Sequence, residues 1–134
     1  MFMTPGSRPR SGRPFANQLP FYTMPIVGTT VQVDLGRIVN RITGIGNGKA
    51  TLIANSTLGV PTGFRLGQSG MFKFTMDGTG SRTLTPAGSI WCYDGDSWGA
   101  IGTTANKSSL VAWQVLDMTH ILLSLVAVNV SAGS

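Results

Sequence analysis

The chain has 134 residues, 42% hydrophobic and 11% charged, with 18 glycines, one cysteine and a formal net charge of +5. That length suits one domain, and the lone cysteine excludes an internal disulfide. Five aspartates, no glutamate and one histidine leave too few titratable groups for a persuasive active site or a zinc site, so an enzyme is not expected. Charge this sparse is under half the usual share, so much of the surface is expected to be covered by further copies or by a partner.

Residues 1–28 read as an extended N-terminal arm. Pro5, Pro9, Pro14, Pro20 and Pro25 remove backbone donors and favour an extended, polyproline-like path. Arg8, Arg10 and Arg13 supply three of the ten basic residues with no acid among the first fourteen positions. Phe15, Phe21 and Tyr22 add large apolar groups that a solvated linker does not need. These six residues are the candidate docking contacts of the arm. Without a Lys/Arg run or a groove of interleaved aromatics, an acidic protein surface is favoured over nucleic acid. No uninterrupted apolar core of a signal peptide is present, so synthesis in the cytoplasm is expected.

Residues 29–134 read as an all-β body, a β-sandwich or jelly roll. Residues 30–35 (TVQVDL) alternate strictly and put Val31, Val33 and Leu35 on one face. A second strand is predicted over 37–43, and Asn47-Gly48 is a strong hairpin-turn dipeptide. Further strands are predicted over 50–55, 64–66, 71–76, 82–85 and 89–93, cut by Gly67, Gly70, Asp77-Gly78, Gly80 and Asp94-Gly95. The chain ends in strands over 110–116 and 119–130. The second is nearly continuously apolar, the pattern of a strand buried on both faces or lying at a subunit interface. Its ten-residue apolar core is too short for a membrane helix. Trp113, Ile121, Leu123 and Leu125 are the candidate interface residues. No heptad and no tandem repeat of useful length is evident.

Motifs that carry chemistry are weak. His120 lies beside Asp117, but no activated nucleophile accompanies them, and a packed or interface histidine is the better reading. Asp94-Gly95-Asp96 is a fragment of a calcium loop without a bidentate glutamate, and a polar turn is favoured over a metal. The glycine-rich segments 67–70 and 78–80 are followed by strands rather than helices, so no phosphate cradle and no cofactor is expected. Cys92 reads as a small buried hydrophobe. Asn55-Ser56-Thr57 and Asn129-Val130-Ser131 match the glycosylation pattern by chance. Trp91, Trp98 and Trp113 fit core packing better than a sugar platform, with Trp98 the one plausible exposed ring.

The run DGTGSRTLT from Asp77 to Thr85 resembles a glycine-turn-Arg-Thr-Leu-Thr element found in many tailed-bacteriophage virion proteins. Trp91, the turns at Gly95 and Gly99, the strand from Leu110 and the terminal strand follow in the same order, so the similarity spans residues 50–130. Pro86 and the long polar segment 94–107 depart from it. The resemblance implies a virion structural protein, a homotrimeric capsid decoration or cement protein lying on the major capsid protein. The alternative is a tail-associated short fibre or an adhesion module for a host glycan. It implies no catalytic residue.

Overall fold

The computed structural model describes residues 20–93 and 101–131. Among these residues, ten strands and one short helix run in the order β1 (Tyr22–Thr23), β2 (Ile26–Val27), β3 (Thr30–Val31), α1 (Leu35–Ile38), β4 (Ile45–Leu52), β5 (Ser56–Leu58), β6 (Ser69–Met76), β7 (Leu84–Pro86), β8 (Trp91–Tyr93), β9 (Lys107–Asp117) and β10 (His120–Ser131). They form a six-stranded sheet of order β1-β4-β6-β9-β10-β8 and a four-stranded sheet of order β2-β3-β5-β7. The all-β class therefore holds.

The connectivity is not that of a jelly roll. From β3 to β7 successive strands alternate between the two sheets, and each pairs in parallel with the strand one turn earlier or later, as in a short β-solenoid. In the large sheet Ile45 stands beside Ser69 and Tyr22 beside Gly48. In the small sheet Thr30 stands beside Thr57, and Ser56 beside Leu84. A repeat of two dozen residues or slightly more thus exists in space, although none is evident in the sequence. The long β9–β10 hairpin ends the coil. β9 pairs antiparallel with β6, and β10 separates it from β8, which runs parallel to β10.

Side chains of both sheets enter one core. β4, β6 and β9 bury alternate residues, which brings Leu52, Phe72, Phe74, Met76, Val111, Trp113 and Val115 to meet Val31, Leu58 and Leu84. Small residues on β4 stand beside large ones on β6: Gly48 is paired with Phe72, and Ala50 with Phe74. This explains why Asn47-Gly48 lies inside β4 rather than in a hairpin turn. A Cβ on Gly48 would come 2.9 Å from the Met24 sulfur, so the missing side chain admits Met24 to the core. The Asn47 Oδ1 accepts a hydrogen bond of 3.1 Å from the Met71 N–H on the next turn, which a strand position alone allows.

Other elements differ from the sequence expectation for local reasons. Val31, Val33 and Leu35 do point inward, but strand β3 ends at Val31, an isolated bridge joins Asp34 to Thr62, and the chain turns into α1, which buries Leu35 and Ile38 three residues apart. Residues 37–43 form the end of this helix and a turn held by Asn40, whose Oδ1 accepts from the N–H groups of Ile42 and Thr43. Residues 64–66 form no strand. Pro86 is the last residue of β7, on the open edge of its sheet, where a missing donor costs no ladder bond. The body also begins earlier than residue 29, because β1 and β2 already belong to the two sheets.

Candidate functional site

The conspicuous glycine run forms a corner. Asp77 follows β6 and accepts hydrogen bonds from the N–H groups of Thr79 (3.3 Å) and Gly80 (3.0 Å) and from the Arg82 guanidinium at 2.8 and 3.3 Å. The Arg82 hydrogen bond is the main cause that holds the Asp77 carboxyl below its ordinary range, despite a partly opposing desolvation. Gly80 and Ser81 take positive φ, whereas Gly78 does not. The segment carries the chain from one sheet to the other, so it is a structural clasp and not a hairpin.

His120 is exposed rather than packed in the core. At the tip of the β9–β10 hairpin, Asp117 accepts from the Thr119 N–H and hydroxyl, both at 2.8 Å, and His120 Nδ1 lies 3.0 Å from its Oδ1. The Thr119 backbone bond leads these effects and draws the Asp117 carboxyl down to about 2. These contacts make a turn cap. Among the described residues no group of three or more His, Cys, Asp or Glu side chains could hold a metal. Asp94, Asp96 and Trp98 lie outside the described residues, as do Arg8, Arg10, Arg13 and Phe15.

Trp91 and Trp113 are interior. Trp113 stacks on Phe72 with centroids 5.7 Å apart, and Trp91 meets Phe72 edge-on at 6.2 Å. The Trp91 indole N–H donates to the Gly59 carbonyl at 3.1 Å, tying β8 to the loop after β5. Neither ring offers a sugar platform. Trp113, Ile121 and Leu123 are at most 1% exposed within their own chain, so a neighbouring copy does not reach them. Leu125, the fourth candidate interface residue, is 38% exposed. Cys92 is half-buried rather than enclosed.

Two surface features stand out. The first is the distal half of β10, where Val126, Val128 and Val130 are 57%, 45% and 39% exposed beside Leu125. Among the described residues β8 pairs with this strand at residues 121–123, and register shifts near Leu125 and Ala127 bend the rest. All of β10 lacks Asp, Glu, Lys and Arg. Sequence reading found the apolar strand but not that half of it faces water.

The second is the outer face of the large sheet, which sequence reading missed. Ile45, Asn47, Lys49 and Thr51 of β4 alternate outward, as do Ser69, Met71, Lys73 and Thr75 of β6. Ala112 and Gln114 of β9 and Leu122 and Ser124 of β10 continue the two rows nearest Phe21. An open groove of about 680 Å³ runs over them, with Phe21 at its wall and the Lys73 ammonium 5.3 Å from the centre of that ring. The expected arm residues Phe21 and Tyr22 are thus both half-buried parts of the body.

No helix among the described residues is long and apolar enough to cross a membrane, which says nothing of a β-barrel. Compared with protein-family models, with curated proteins and with solved structures, the chain shows no significant match.

Proposed function

We propose that the chain is a structural protein of a tailed-bacteriophage particle, a homotrimeric decoration or cement protein that binds the lattice of the major capsid protein and adds contacts to it. The observation that carries this reading is the water-facing, charge-free half of β10, where Leu125, Val126, Val128 and Val130 leave an apolar strip beside an incompletely paired edge. Contiguous apolar surface and open strand edges are features by which chains associate.

Microscopy of particles that carry a labelled chain tests the location. Label spread over the head is expected. Label confined to the tail overturns the shell reading in favour of the short-fibre or adhesion alternative.

A further inference from the structure

Lys49 and Lys73 are direct neighbours on the parallel strands β4 and β6, and both project from the outer face of the large sheet. Adjacent strands are about 4.8 Å apart, and like charges side by side at that spacing repel. No residue that alternates outward on β4, β6 or β9, or on β10 as far as Ser124, is acidic. The three described aspartates sit in turns or beside α1 and already engage Arg37, Arg82 and His120. Among the described residues, the pair of ammonium groups therefore has no carboxylate of its own face to answer it.

The groove beside the pair is amphipathic. Phe21, Ile45, Met71 and Leu122 give it apolar walls, and the Asn47 and Gln114 amides lie among them. Its volume falls within the range of about 300–1,000 Å³ that small-ligand sites occupy. Apolar walls suit the C–H face of a sugar ring, amides suit its hydroxyls, and ammonium groups suit a carboxylate or phosphate carried on the ring. An acidic peptide would satisfy the lysines but would leave the ring-sized apolar surface beside the Gln114 amide without a use.

We infer that this face binds an acidic glycan, with Lys49 and Lys73 taking the anionic group, Phe21 and Met71 packing on the ring, and Gln114 reading a hydroxyl. The inference does not rest on the shell reading, because it concerns the isolated chain and is tested without particles.

Titration calorimetry of the full chain with tetragalacturonate tests it, with maltotetraose and tetraglutamate as comparators. Tetragalacturonate should bind, more weakly as sodium chloride is raised, and better than either comparator. Lys49→Gln and Lys73→Gln should each lower its affinity by about tenfold, the loss expected for one charge-assisted hydrogen bond. An Arg41→Gln/Arg65→Gln protein, which removes two positive charges from residues that do not line this groove, should bind as the parent does. Circular dichroism confirms that each variant is folded.

Absence of tetragalacturonate binding overturns the inference, and so does an equal loss in the arginine variant, which would mean unspecific charge attraction. Equal binding of tetraglutamate would assign the face to acidic peptides instead. A dimer of the unliganded chain that Lys73→Gln abolishes would assign it to a second copy.

Discussion

Trp91 and Trp113 lie in the same aromatic core with opposite provision for their indole N–H groups. Trp91 donates to the Gly59 carbonyl, whereas the buried Trp113 nitrogen has no partner among the described residues. Replacing either by Phe removes similar volume. Trp91→Phe also strands a carbonyl acceptor, a loss of about 1–3 kcal/mol, while Trp113→Phe deletes a donor that had nothing to satisfy it. Urea unfolding should therefore show Trp91→Phe to be the more damaging change by about 1 kcal/mol or more. Equal midpoints would mean that the Gly59 bond contributes nothing. Asp117 gives a pH signature at the same scale. Its carboxyl falls from an ordinary 3.8 to about 2 in the folded chain. A depressed folded value means that its stabilising contribution is complete above about pH 4 and fades as pH falls through the folded value. The stability gap between the parent and Asp117→Asn should be constant at neutral pH, shrink below pH 4 and close near pH 2. A gap that persists unchanged at low pH would exclude the turn cap as its source.

At the scale of the elements, the close stacking of successive turns turns glycines into packing residues. A Cβ on Gly70 would overlap the Gly46 carbonyl and come 2.8 Å from the Trp113 nitrogen, whereas a Cβ on Gly78 meets nothing within 4 Å. Gly70→Ala should thus abolish folding or lower the melting temperature steeply, and Gly78→Ala should be close to neutral. Thermal melts of the two proteins decide this, and similar melts would refute the close approach of β4 and β6. The same stacking explains what could be read from the sequence. The inward faces were legible wherever period-two alternation was clean, as at Val31, Val33 and Leu35 and along β6 and β9. The coil was not, because its successive turns bury unlike residues. Gly48 and Phe72 share a row, so no repeated motif marks the repeat. Asn47-Gly48 carries a hairpin signal, and only its neighbours Met24 and Met71 make it a strand. The groove was equally invisible, since Phe21, Asn47, Met71 and Gln114 are far apart in sequence and meet only where Phe21 lies beside three strands. What remained legible of surface function was the apolar terminal strand, although its inner half proved to belong to the core.

Across the whole molecule, that division of β10 makes the shell reading testable without confusing assembly with folding. Ile121 and Leu123 are core residues, so Leu123→Asp should unfold the chain and says nothing about partners. Val126 and Val128 are exposed, and charge placed there meets water in a monomer but an apolar surface in an assembly. The double variant Val126→Lys/Val128→Lys should therefore keep the circular dichroism of the parent while light scattering shows the trimer reduced to monomers. If β10 is also the route to the shell, the variant should fail to restore the rupture temperature of particles that lack this protein, whereas the parent restores it. Stabilisation by a component that binds only the assembled lattice is set by its affinity and occupancy, so addition of parent protein should raise that temperature until the sites are filled. A parent protein that scatters light as a monomer at micromolar concentration would remove the homotrimer. Particles equally stable with and without the parent would remove the cement function, even if the oligomer stood.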